Sequence, residues 1–440
     1  MFTPPRFVVV DDKPEHLQAI VTTFRSLGTT CSPILYRPEE DFEGEQLRGV
    51  RALFMDLNLN AGPVSNDHSQ HFATIVGLLE DHITEAGGPF VLVLWTENAK
   101  EAPNLIKYID DNLSPETPWA RPVATMGLSK TDYLVGDKLT AEKAEELKDA
   151  ILKKLEDSPQ IAALLTWEGE VVVAASETLR ALVGQVPLNK RKHVDFGPAL
   201  DVVLSRLARA AVGKPNAVID PRAAVNAVLG PILSDRLSHA VGNGTLWKKA
   251  LTRVSRSKLP DMPLADQGTM NRMLHLAEAG SEPQMRSSDW GVVSAPNWIA
   301  ATYLSRLGIS KESFLTKVLK VPVGSQADVT LVVVRAGATC DHAQGRDGPV
   351  PYYVGAIVPE EIIQQREDVP ASEWMSPVLS VPGTAGSVRI AVNARFPLTL
   401  VRDVANRMTP SFRIREQLLM QMITAAGDYQ SRPGIVQLPG

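Results

Sequence analysis

The chain has 440 residues, 44% of them hydrophobic and 22% charged, with a formal net charge of −5 and two cysteines. That length exceeds one ordinary core and predicts two or three domains. The composition is that of a soluble globular protein, and the acidic balance argues against a general nucleic-acid coat. Cys31 and Cys340 stand far apart in sequence, which argues against a disulfide framework and fits a reducing cytoplasm. The opening Met-Phe-Thr-Pro-Pro-Arg lacks a signal-peptide pattern. No stretch reaches the roughly 18 apolar residues of a membrane span, so a soluble, cytoplasmic protein with no membrane partner is expected.

In chain order, the first apolar run is Phe7-Val-Val-Val-Asp11-Asp12, which ends in an acidic pair. A helix is predicted over 14–27, with Leu17, Ile20, Val21 and Phe24 at helical spacing and Gly28 closing it. A short strand follows at 32–36. Leu53-Phe-Met-Asp56 then ends in a lone carboxylate, Val91-Leu-Val-Leu-Trp-Thr96 in a hydroxyl, and Thr125-Met-Gly-Leu-Ser-Lys130 in an ammonium. Helices are predicted at 69–79 and 102–113, and 141–155 is strongly amphipathic with Glu-to-Lys pairs at helical spacing. These runs suit strands buried on both faces of a parallel sheet, and the alternation predicts an α/β, doubly wound, five-stranded domain. Such sheets build their sites at the C-terminal strand ends. Carboxylates, a hydroxyl and an ammonium meeting there are the groups that hold a divalent cation and a phosphoryl group.

On these four strand ends the first 155 residues or so resemble the receiver domain of two-component response regulators. The resemblance implies Mg²⁺ held by Asp11, Asp12, Asp56 and the backbone carbonyl of Asn58. It implies Asp56 as phosphoacceptor, with Thr96 and Lys130 contacting the phosphoryl oxygens. It also implies a bacterial phosphorelay, with a histidine kinase or phosphotransfer protein as donor. Catalysis would then be limited to self-phosphorylation and slow autohydrolysis. Three positions depart from the family pattern: Thr131 replaces the usual proline, Gly127 the usual aromatic, and Glu97 a usual small residue. The alternative they motivate is a non-switching, receiver-shaped scaffold that assembles a multiprotein complex.

The rest of the chain is read as a connecting element (158–195), a helical module (196–285) and a C-terminal α+β module (286–440), the first domain being 1–157. Residues 161–175 fit either a helix followed by a strand or a helix interrupted at Gly169. From Pro198 to Lys258 the pattern is helical, with Pro215 and Pro221 separating two apolar faces. Basic clusters at Lys190-Arg-Lys-His193 and at Lys248, Lys249, Arg253, Arg256 and Lys258 fit a solvated face. The less favoured reading is a nucleic-acid or acidic-partner surface. A short helix is expected near 270–277 and another from an N-cap at Ser310. Strands are expected at 329–335, 352–358, 378–381 and 387–393, in an antiparallel sheet or barrel, with a closing helix at 411–426. Cys340, Asp341 and His342 could ligate a metal or supply a thiol nucleophile, giving a third reading as a C-terminal thiol or metal enzyme. Adjacent residues on a strand point to opposite faces, which favours a cysteine packed under a polar turn. A strand leading into a Cys-Asp turn resembles uncharacterised proteins of bacterial conflict systems and assigns no residue roles.

Overall fold

Side chains alternate between the two faces of a strand, and that period sorts the N-terminal apolar runs into two cores. In the computed structural model, which describes residues 4–38, 46–59, 68–242, 244–278, 285–338, 348–366 and 368–431, they form a parallel sheet in the order β2-β1-β3-β4-β5. The strands are β1 Phe7–Asp11, β2 Ser32–Leu35, β3 Ala52–Met55, β4 Val91–Thr96 and β5 Ala124–Ser129. Val8, Val10, Leu53, Met55, Leu92 and Leu94 face one layer, against Ile75 and Leu79 of α2 (Ser69–His82) and Leu105 and Ile109 of α3 (Ala102–Asn112). Val9, Phe54, Val93 and Trp95 face the other. There they meet Leu17, Ile20 and Phe24 of α1 (Pro14–Ser26) and Leu147 and Ile151 of α4 (Ala141–Glu156). The expected doubly wound, receiver-like sheet is therefore present.

Helix α1 shows how local sequence sets the geometry. Pro14 occupies its first turn, where the missing N–H costs nothing. Gly28 ends it in the left-handed region at φ 74°, with the Gly28 N–H donating to the Arg25 carbonyl and the Thr29 N–H to the Phe24 carbonyl. That is a Schellman stop, and it turns the chain toward β2.

The chain divides into two units. One runs to Ser176 and adds Leu237–Arg256; the other comprises Glu177–Arg236 and the chain from Ser257 onward. Residues 161–175 fall within one helix, α5 (Pro159–Val183), and Gly169 does not interrupt it. Space beside Gly169 is open, so the glycine costs only its propensity, about 1 kcal/mol. Glu168 of α5 pairs with Arg51 (2.9 Å) and Arg6 (2.6 Å) within the first unit.

In the second unit, α6 (His193–Ile219) consists of two helical stretches that meet at the non-helical Gly213 (φ 79°), so the separation expected at Pro215 is present two residues earlier, as a kink. Helix α7 (Pro221–Ser238) follows, and Ala208, Val212 and Ala224 form the small core of this pair. Further on, seven strands form a mainly antiparallel sheet in the order β12-β13-β11-β10-β9-β14-β8. They are β8 Leu276–Glu278, β9 Val292–Ala295, β10 Thr330–Arg335, β11 Val350–Pro359, β12 Glu373–Met375, β13 Val388–Leu400 and β14 Thr409–Ile414. Of the sheet and the barrel, the described residues make the sheet, with cores on both faces. Two local expectations are corrected. Residues 378–381 contribute only a bridge from Leu379 to Val388. The closing helix begins later, at Glu416–Gln430, because Phe412 and Ile414 alternate into the core as strand β14. Ser310 caps its helix as expected, its hydroxyl accepting from the Ser313 N–H at 3.0 Å.

Candidate metal and phosphoryl site

The strand order reverses between β1 and β3, and doubly wound sheets open their crevice beyond the C-terminal ends at such a point. Asp11 closes β1, Asp12 follows it, and Asp56 follows β3. One oxygen from each carboxylate lies within a 4.8 Å cluster, the single group of its kind among the described residues. Asp11 is fully buried, Asp56 is 6% exposed, and Asp12 is the most open of the three. Lys130, delivered by the end of β5 and 3% exposed, sits between two of them. Its Nζ forms ion pairs with both, 2.7 Å from Asp11 Oδ2 and 2.8 Å from Asp56 Oδ2. The other oxygen of Asp56, Oδ1, is buried and has no hydrogen-bond partner.

Three carboxylates thus gather about one ammonium, and the imbalance pulls Asp11 and Asp12 in opposite directions. Burial opposes ionisation of Asp11, but His16 and Lys130 outweigh it and hold its carboxyl below the ordinary range. Burial and the charges of Asp11 and Asp56 push Asp12 up. An orphaned buried oxygen, a strained third acid and an oxygen-only donor set fit a small hard dication, which takes two or three protein carboxylates and completes its shell with water. Asn58 is two residues beyond Asp56 and half-buried.

Thr96 ends β4 and is fully buried, its hydroxyl accepting from the Asn98 N–H at 3.4 Å. Glu97 is exposed, so its carboxylate is not packed into the pocket. Gly127 has a steric reason: a Cβ there would lie 2.2 Å from the carbonyl oxygen of Ala99, in the 3₁₀ turn Ala99–Glu101. Thr131 lies in the 3₁₀ turn Lys130–Asp132, with its hydroxyl 2.8 Å from that of Ser129.

Sequence reasoning missed three groups that complete the surroundings: the Lys13 N–H, which donates to Asp11 Oδ1 at 3.0 Å, and the side chains of His16 and Asp137. A histidine one turn past the acidic pair, on the face that also carries Leu17 and Ile20, was the available signal. Elsewhere, Lys248 and Lys249 end the short helix Gly244–Ala250, while Arg253, Arg256 and Lys258 lie beyond it in exposed turns. Cys340, Asp341 and His342 lie outside the described residues. Cys31 is packed beneath α1, where burial pushes its thiol up to about 12.

No protein-family model matches the chain, and no curated protein does. Among solved structures it is similar to full-length FixJ from B. japonicum, at 12% identity and a TM-score of 0.18, over 54% of this chain and 100% of that one. So low a TM-score carries no weight for fold or function. The receiver-like character of the first unit stands on its strand order and on the acidic cluster at the sheet edge. No helix among the described residues is long and apolar enough to cross a membrane.

Proposed function

We propose that the N-terminal unit is a phosphoacceptor. Asp11, Asp12 and Asp56, with the Asn58 carbonyl, would hold Mg²⁺, and Asp56 would take a phosphoryl group from a histidine kinase or phosphotransfer protein. The observation that carries this reading is Lys130 Nζ lying between Asp11 and Asp56 with a third carboxylate beside them and Asp56 Oδ1 left unpartnered. In the reaction, an Asp56 oxygen forms the new O–P bond as the phosphorus–nitrogen bond to the donor's imidazole breaks. Held by Asp11, Asp12 and Asp56, Mg²⁺ would supply the positive charge that offsets repulsion between these acids and incoming phosphoryl oxygens. Lys130 can exchange a carboxylate for a phosphoryl oxygen as a mobile point charge, and Thr96 can release Asn98 to donate to another. A groove of about 580 Å³ between α1 and the segment 137–144, lined by Pro14, Gln18 and Leu139 among others, is where a donor protein would rest in this reading. The phosphorylated unit would regulate the C-terminal output or a bound partner.

The test is labelling by a small acyl phosphate. Mg²⁺-dependent incorporation into the wild type and none into Asp56→Asn is expected; label persisting in Asp56→Asn sinks the assignment. A second reading, a receiver-shaped scaffold that does not switch, is favoured by the Ala99 carbonyl, which fills the space a relay side chain at Gly127 would need. Partner binding indifferent to Asp56→Ala would support it.

A further inference from the structure

His16 lies in the first turns of α1, and its side chain is 3% exposed. Its Nε2–H donates to Asp137 Oδ1 at 3.0 Å, while Nδ1 lies 3.3 Å from Asp11 Oδ1, out of line for a good hydrogen bond. Asp137 belongs to a small hairpin, β6 (Leu134–Val135) and β7 (Lys138–Leu139), which pair antiparallel and lead through Thr140 into α4. Gly136 and Asp137 both have positive φ, 56° and 61°, as a two-residue type I′ hairpin turn requires. Lys13 Nζ stands 4.0 Å from the same Asp137 carboxylate.

One ring therefore joins a carboxylate of the acidic cluster to a hairpin that carries none of its acids. Packing alone does not ask for an imidazole here. The neighbouring buried positions of α1 are Leu17, Ala19 and Ile20, and an aliphatic residue would fill the same face without two polar nitrogens to satisfy. Wedged between two carboxylates, the ring packs beside Asp11 on its Oδ1 side, where the Lys13 N–H also donates at 3.0 Å. Oδ2 is left to face Lys130.

We infer that His16 is a positioning residue for Asp11, that Asp137 anchors it, and that cation binding at Asp11, Asp12 and Asp56 is thereby coupled to closure of the Leu134–Leu139 hairpin. The inference rests on the cation-binding reading above and extends it with a route out of the site. At Gly127 that route is blocked, whereas the hairpin leads directly into α4. Coupling of this kind is reciprocal: a cation that draws on Asp11 must alter the hairpin, and a hairpin without its carboxylate must weaken the cation.

Full-length protein is titrated with Mn²⁺ by electron paramagnetic resonance, and hydrogen exchange across residues 134–139 is followed with and without Mg²⁺. Asp137→Gly suits the left-handed turn position and removes the anchor without straining the backbone; Asp137→Asn keeps an acceptor for Nε2–H. Asp137→Gly is expected to bind Mn²⁺ roughly ten-fold more weakly than the wild type, with Asp137→Asn close to it, a loss of the size seen for supporting residues of metal sites. Mg²⁺ is expected to slow exchange in the hairpin of the wild type and not of Asp137→Gly. Wild-type affinity in Asp137→Gly, or a wild-type hairpin indifferent to Mg²⁺, overturns the inference. If the wild type binds no Mn²⁺, the cation reading itself fails and takes the inference with it. Binding lost in Asp56→Ala but intact in Asp137→Gly removes the inference alone.

Discussion

The two units treat buried charge in opposite ways. In the second, Arg366 and Glu373 form a two-pronged pair at 2.7 and 2.8 Å, with side chains 1% and 0% exposed. Arg389 meets Glu360 in the same fork geometry at 2.7 and 3.2 Å. One guanidinium answers one carboxylate, so no formal charge is left for a ligand. In the first unit a single ammonium answers Asp11 and Asp56, and Asp12 stands beside them. Equal charge under cover is a structural element; unequal charge at strand ends is the arrangement that the proposed cation site would use.

The largest expected effect breaks the balanced side. Arg366→Met leaves Glu373 buried and alone, which should cost about 3–5 kcal/mol in urea denaturation of the second unit. The pH dependence sharpens this. Burial pushes the Glu373 carboxyl up, and Arg366 partly offsets that rise. A folded-state value above the unfolded one means that Glu373 contributes its full stability in acid, below the ordinary glutamate value of 4.5, and loses it as pH rises through the folded value. Without Arg366 the rise is larger. The deficit of Arg366→Met should therefore shrink in acid and widen toward neutrality; a deficit flat across that window would show that Glu373 is not its source.

The unbalanced side should respond to a cation instead. Lys130→Met strips the acidic cluster of the ammonium it shares and should lower stability by about 1–3 kcal/mol in chelator, the cost of leaving buried acceptors unmatched. Mg²⁺ should restore it, because a ligand present at 100 times its dissociation constant adds about 2.7 kcal/mol to the folded state. The same Mg²⁺ should do nothing for Arg366→Met. Equal rescue of both variants, or of neither, would erase the distinction between the units. Thermal denaturation with and without Mg²⁺ reads it directly.

Much of the first unit was legible because its strands are apolar runs that end abruptly in charge. The runs fix the buried sheet, and the ends at Asp11, Asp56, Thr96 and Lys130 fix which edge carries the polar groups. What stayed hidden depends on long-range approach. Asp137 is 121 residues from His16, and nothing local marks the hairpin turn as its partner. The second unit was less legible for a different reason. Strands β8 and β12 have three residues each, too few to show a period, and β14 reads Thr-Pro-Ser-Phe-Arg-Ile, whose alternation runs straight into a helical pattern. Gly169 misled in the opposite direction: a single glycine weakens a helix by about 1 kcal/mol without ending one as long as Pro159–Val183.

Gly127 is the position where a departure in sequence and a fact of packing coincide, and it gives the smallest and most local prediction. A methyl group there would press on backbone, the Ala99 carbonyl at 2.2 Å, with the Ala99 Cβ at 3.2 Å. Backbone yields less readily than a flexible side chain, so Gly127→Ala should cost about 1–3 kcal/mol by overpacking. The turn Ala99–Glu101 that must move follows directly on Asn98, whose N–H holds the Thr96 hydroxyl. Asp11, Asp56 and Lys130 are held by their own contacts with one another and need not follow it. Gly127→Ala should therefore lower the denaturation midpoint and slow phosphoryl transfer to Asp56 while leaving Mn²⁺ affinity near the wild-type value. Loss of Mn²⁺ binding in step with stability would mean that the two ends of β4 and β5 are one rigid piece, and that Thr96 has no freedom of its own to move toward a phosphoryl group.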